Sequence, residues 1–165
     1  MSDPGGLQPI SPSRRKFLVV VDQTPECAVA LRFASRRAQH TGGIVTLLYI
    51  VAPADFQQWA GVERVMREEA HQEAERALYE AAKAVNDIVG ATPELVIREG
   101  RPAEEILGLL KEDRALAILV LASGTSKEGP GPLVSLISAP GANAYPIPVT
   151  VVPGTLTDEQ VDALA

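Results

Sequence analysis

The stretch Ala117–Ser138, AILVLASGTSKEGPGPLVSLIS, decides how the chain folds. It opens on an unbroken apolar run, Ala117 to Ala122. A run that short and that apolar reads as a strand buried on both faces, the habit of parallel sheets. The chain then enters a loop holding Gly124, Gly129 and Gly131, with Ser123, Thr125, Ser126 and Lys127 among them. Apolar residues resume at Leu133, Val134, Leu136 and Ile137, at helical spacing. Small, polar, glycine-rich residues between a strand's carboxyl end and a helix are where α/β proteins hold ligands. Backbone N–H groups there can face an anion, and glycine lets a phosphate come close.

The same strand-then-helix unit recurs toward the N-terminus. Phe17–Val21, FLVVV, is a β-branched strand ending at Asp22. Thr24-Pro25-Glu26 reads as a helix start, with Thr24 as N-cap, Pro25 in the first helical position and Glu26 complementing the dipole. Cys27, Ala30, Leu31, Ala34 and Ala38 would face the sheet, and Arg32, Arg36 and Arg37 water. Thr41-Gly42-Gly43 stops this helix near His40. Ile44–Val51, IVTLLYIV, is a second buried strand. From Ala54 to Val89 the pattern is helical, with a break near Gly61. Val62, Val65, Met66, Ala70, Ala74, Ala77, Leu78, Ala81, Val85 and Ile88 form its apolar stripe, and Glu63 faces Arg67 on the charged side.

Glu94–Glu99, ELVIRE, is a third strand whose flanking charge places it near an edge. Gly100-Arg101-Pro102 turns into a short helix with Ile106, Leu107 and Leu110 inward. Beyond the glycine loop, Pro140 and Gly141 interrupt a short helix, and Val149–Val152 is a fifth strand. Thr157-Asp158-Glu159 caps a last helix to Ala165. Alternation of this kind predicts an α/β fold, an open five-stranded parallel sheet with helices on both faces, Rossmann-like or flavodoxin-like, with right-handed crossovers. The predicted organisation is a disordered arm at 1–14, an α/β domain at 15–154 and a short C-terminal helix or tail at 155–165.

A chain of 165 residues carrying 46% hydrophobic and 22% charged residues can bury one core, and 4% aromatics make that core aliphatic. A net charge of −6 argues against general affinity for nucleic acid or anionic membranes. Arg14, Arg15 and Lys16 then read as solvated charge. No apolar run approaches the length of a membrane span, and MSDPGGLQPISPSRRK offers no secretory signal, so the expected location is cytoplasmic. Cys27 is the single cysteine, which excludes an intrachain disulfide. It sits in a helix's first turn but on the apolar stripe, where a buried, inert thiol is expected. His40 and His71 are far apart and read as solvated, leaving no metal-ligand set. Phe56 and Trp59, ahead of the long helix, are expected to fill a core gap.

Three pieces of the sequence resemble the universal stress protein family, over Lys16–Pro153. FLVVVDQT at Phe17–Thr24 looks like the family's first strand ending in aspartate. EGRPAEEIL at Glu99–Leu107 is similar to its turn into the third helix, and PVTVV at Pro148–Val152 to its last strand. The resemblance implies five parallel strands of the adenine nucleotide alpha hydrolase-like kind, and a homodimer through Val149–Val152. It also implies a division between ATP binders and non-binders. ATP binders carry Gly-x-x-Gly and, further on, Gly-Ser or Gly-Thr; in that register this chain has Ala122, Thr125 and Ser135-Leu136. Pro130 and Pro132 further remove two backbone donors.

The candidate nucleotide crevice comprises Asp22, Gln23, Thr24, Ile50, Ser123, Gly124, Thr125, Lys127, Gly129, Gly131 and Ser135. By the resemblance, Asp22 would accept bonds from ribose or base, and Ile50 would line adenine. No catalytic dyad or nucleophile elbow appears. The sequence therefore predicts a cytoplasmic, non-catalytic, homodimeric binding protein without a standard ATP-binding loop. It has no certain cofactor, no nucleic-acid or membrane partner, and protein partners the sequence does not name. The alternative is an ATP- or AMP-binding protein, with magnesium, that uses the variant loop and Lys127 and hydrolyses ATP slowly at most. A scaffold whose pocket is filled by its own side chains is a third reading.

Overall fold

The structure, a computed structural model, describes residues 14–53, 60–139 and 145–165. Residues 1–13 of the expected arm, Phe56, Trp59, Pro140 and Gly141 lie outside them. The chain runs β1 (Lys16–Val20), α1 (Cys27–Thr41), β2 (Ile44–Val51), α2 (Ala60–Val89), β3 (Glu94–Glu99), α3 (Pro102–Glu112), β4 (Leu116–Ser123), α4 (Pro132–Ser138), β5 (Val149–Pro153) and α5 (Asp158–Leu164). The five strands form one sheet in the order β3-β2-β1-β4-β5, every neighbouring pair parallel. The chain builds outward from β1 to β3, then crosses back over β1 to lay down β4 and β5. The sheet's direction of growth thus reverses between β1 and β4, and their carboxyl ends open a crevice there.

Each apolar strand run feeds two cores because successive side chains alternate across the sheet. Phe17, Val19, Val21, Val45 and Leu47 pack beneath α1 and α2, against Ala30, Ala34, Ala38, Leu78, Ala81 and Val85. Alanine on the helices lets both approach the sheet closely. Leu18, Val20, Leu48, Leu119 and Leu121 point the other way, onto Ile106, Leu109 and Leu110 of α3 and Val134 of α4. The charged strand β3 is an edge, as its sequence predicts, and β5 is the other.

Four sequence expectations are corrected. Helix α1 starts at Cys27, with Glu26 in the cap position and no side-chain cap, rather than with Thr24 as its cap. Thr24 instead turns back on the preceding residues, its backbone N–H (3.0 Å) and its hydroxyl both donating to Asp22 Oδ1. The stripe of α2 is buried at Ala74, Leu78, Ala81 and Val85, whereas Val62, Val65 and Met66 are 52%, 53% and 39% exposed. Periodicity tells which residues share a face, but not how far along the helix a partner surface extends. Lys16, expected in solvent, joins two strand ends through Glu94 (2.9 Å) and Asp113 (2.8 Å). The histidines are solvent-accessible as expected, with His40 Nδ1 3.0 Å from the Ala165 carbonyl oxygen and His71 Nε2 3.6 Å from Glu99.

The fourth correction concerns Arg32 and Arg36, which clasp α5 instead of facing water. Arg32 donates to both carboxylate oxygens of Asp162 at 2.8 and 2.7 Å, and Arg36 Nε donates to Oδ1 at 2.9 Å. A capping box between Thr157 and Gln160 starts α5, and its Val161 is buried. The two guanidiniums hold the Asp162 carboxyl down at about 2. A depressed carboxylate contributes its stabilisation above its unfolded value, about 4, and loses it as pH falls toward the folded value. Hydrogen exchange should therefore show α5 loosening between pH 4 and 2, with Asp162→Asn flat across that window.

Candidate functional site

At the β1/β4 reversal, the β1–α1 turn faces the loop that joins β4 to α4. On the first side, Asp22 leaves the strand and folds Thr24 back on itself through the two bonds already described. The Cys27 N–H then donates to the Thr24 carbonyl at 3.2 Å, a tight turn that brings Glu26 to the mouth of the crevice. On the other side, Gly124 ends the strand and its N–H donates to the Pro130 carbonyl at 2.8 Å. The loop therefore closes on itself and uses a donor that an anion would otherwise meet. Gly129 and Gly131 adopt φ of 110° and 99°, which only glycine enters without strain, so they shape this closure.

The resulting cleft measures about 470 Å³ and is lined by Thr24, Glu26, Gly124, Thr125, Ser126, Glu128, Gly129, Gly131 and Ser135, with Pro25 and Pro132. That volume falls within the range of small-molecule sites. Among the described residues lining it there are two carboxylates and neither a lysine nor an arginine. A deeper extension of about 20 Å³ reaches Asp22 over a floor of Val20, Leu121 and Val134. That space suits about one water molecule and is too small for a purine ring.

The cleft gathers Thr24, Gly124, Thr125, Gly129, Gly131 and Ser135 from the candidate set, with Asp22 in the deeper extension. Gln23 lies in a groove of about 520 Å³ between α1 and α2 that Asp22 also lines, and its side chain meets Glu73 at 3.4 Å. Ile50 packs in the apolar cluster on the α3 side of the sheet. Ser123 belongs to the β4–β5 corner, its carbonyl accepting the Gly154 N–H at 3.1 Å. Lys127 is not among the residues lining either cleft. Sequence reasoning missed Glu26 as a cleft residue and assigned it to the helix dipole alone. An acid four positions after the strand-end Asp22 is the signal that was available.

Cys27 is buried below this turn, and burial pushes its thiol up to about 11. It is thus a neutral packing group at physiological pH, as expected from its place on the stripe. Among the described residues there is no cluster of three metal-ligating side chains, and no helix is long and apolar enough to cross a membrane.

The model of the universal stress protein family matches residues 13–153. No curated protein matches the sequence closely enough to count as a relative. Among solved structures, the universal stress protein UspA from Lactobacillus plantarum is 20% identical at a TM-score of 0.68, covering 84% of this chain and 97% of its own. A universal stress protein family protein from Arabidopsis thaliana with AMP bound is 18% identical at a TM-score of 0.60, covering 88% of this chain and 94% of its own. The universal stress protein from Archaeoglobus fulgidus in complex with dAMP is 19% identical at 0.58, covering 85% and 98%. At these identities the likeness establishes the shared fold.

Proposed function

Because the chain belongs to the universal stress protein family, we propose that it is a cytoplasmic, non-catalytic binding protein that takes an adenine nucleoside or its monophosphate at the β1/β4 crevice. The observation that carries this reading is the cleft itself: it lies at the sheet's reversal point, has the volume of a nucleoside site, and is lined by hydroxyls and glycines. Solved members of the family hold cAMP, AMP and dAMP, which fits a ligand of this class. Asp22 has a second carboxylate oxygen beyond the one Thr24 occupies, and it would accept a bond from a ribose hydroxyl at the inner end of the cleft. The self-closed loop, two loop prolines and the lack of a lining cation weigh against a gripped triphosphate and against turnover. Magnesium would be recruited by phosphates rather than by a prebuilt cluster of this chain.

Thermal-shift and calorimetric titrations with adenosine, AMP and ATP, with and without magnesium, test this reading. Adenosine should raise the melting temperature as RT ln(1 + [L]/Kd) predicts and AMP by a smaller amount, with both shifts lost in Asp22→Ala. A flat response to all three ligands overturns nucleoside binding, and ATP-dependent phosphate release overturns the non-catalytic assignment.

The same proposal includes a homodimer through β5. Among the described residues that strand pairs with β4 alone, and Val151 on it is 43% exposed, so an apolar parallel edge faces outward for a partner strand. Val151→Lys should convert a dimer to a monomer by analytical ultracentrifugation. An unchanged dimer would place the contact elsewhere, and a monomeric wild type would remove it.

A further inference from the structure

Glu26, in the cap position of α1, sends its side chain into the cleft. Its Oε1 lies where two glycines open toward each other. A methyl group added to Gly124 would sit 3.1 Å from that oxygen, and one added to Gly131 would sit 3.4 Å from the same atom. The two glycines are themselves close: the methyl on Gly131 would come within 3.9 Å of the Gly124 nitrogen. A single carboxylate oxygen thus fills the gap that absent side chains leave. Glu26 is partly buried and lines both the outer cleft and the deeper extension toward Asp22. Its backbone is pinned, since the Glu26 carbonyl accepts the Val29 N–H at 3.0 Å in the first turn of α1. Its Cβ also lies against the residue that follows β5, where a methyl on Gly154 would sit 3.1 Å away. The side chain is therefore delivered to this gap from a fixed base rather than swinging freely in solvent.

We propose that the Glu26 carboxylate is the cleft's resident anion, placed between Gly124 and Gly131 where a nucleotide's phosphates would otherwise lie. It sets ligand specificity by excluding polyphosphates while leaving uncharged adenine nucleosides admissible. The nucleoside half of this statement rests on the reading above; the exclusion of polyphosphate stands on the geometry of Glu26 alone. The physical reason is additive. The carboxylate occupies the space, it repels a like charge at contact distance, and the lining offers no cation to offset it. Glu128, on the cleft's rim, adds charge but approaches neither glycine in this way.

The test uses the full chain and two independent arms. In the first, sodium tripolyphosphate is titrated into wild type, Glu26→Gln, Glu26→Ala and Glu128→Gln, reading the amide resonances of Gly124, Gly131 and Ser135. The wild type should show no saturable shift. Both Glu26 variants should gain one, tighter by about tenfold or more, the scale set by one like charge at close range. Glu128→Gln should stay near wild type. In the second arm, adenosine is titrated into the same proteins, and the gain in Glu26→Gln should be at least about tenfold larger for tripolyphosphate than for adenosine, because only the charged ligand meets the repulsion. Equal tripolyphosphate binding by wild type and Glu26→Gln, or binding by neither Glu26 variant, overturns the proposal. So does an equal gain in Glu128→Gln, which would reduce the effect to net charge. Magnesium-dependent ATP binding that Glu26→Gln abolishes would also overturn it by making Glu26 a metal-side contact. Failure of adenosine to bind any form removes the nucleoside reading and leaves the tripolyphosphate arm to decide the role of Glu26.

Discussion

Leu18→Ala lowers the stability of this protein by about 3 kcal/mol, within the range for buried leucines cut to alanine. Leu18 is 0% exposed at the middle of the central strand, opposite Leu119 in register, and packs in the core that α3 covers. Truncation removes its transfer free energy and leaves a void that two flanking strands prevent from collapsing. For a chain of this size the melting temperature should fall by about 6–12 °C, and urea unfolding should show a lower midpoint at unchanged slope. Met66→Ala provides the contrast. Its parent side chain is among the exposed residues early in α2, so the change should stay within about 0.5 kcal/mol. A large loss at Met66 would mean that a partner surface covers the start of α2.

Gly154→Ala should cost about 3 kcal/mol, the upper part of the range for overpacked sites. Glycine is required here by proximity, not by a left-handed backbone. A methyl group would overlap the Ser123 carbonyl oxygen, a backbone atom that also accepts the Gly154 N–H. It would also press on Thr125 Cγ2 at 3.2 Å and on Glu26 Cβ. The strain therefore enters the cleft from behind, and the variant should lose adenosine affinity along with stability. Gly108→Ala, in α3 where an added methyl meets nothing within 4 Å, should not reproduce the coupled loss. Differential scanning calorimetry with and without adenosine separates the two effects.

Much of this architecture is legible in the residues. Ile44–Val51 and Glu94–Glu99 form strands over the bounds their composition predicts, because each is an apolar run closed by turn residues. The double-sided burial of β1 and β4 follows from unbroken apolar runs, which only a covered parallel sheet accommodates. What escaped the sequence was competition between groups. Thr24 has the chemistry of a cap, but Asp22 two residues earlier engages it first. Arg32 and Arg36 look like solvent residues until α5 brings Asp162 between them, a contact spanning 130 and 126 positions. Glu26 satisfies two rules at once, the helix dipole and the filling of a glycine gap, and only three-dimensional placement distinguishes them. The glycines of the loop suggested a phosphate site, whereas the Gly124–Pro130 bond shows the loop partly closed upon itself.

The central claim, a nucleoside site at the reversal between β1 and β4, is tested most directly by titrating adenosine into isotope-labelled protein and following every backbone amide. The account predicts saturable, concerted shifts at Asp22, Thr24, Gly124, Gly131 and Ser135, weakened in Asp22→Asn. Silence at these amides, or shifts confined to the α1–α2 groove around Gln23, Glu73 and Ala77, would contradict it.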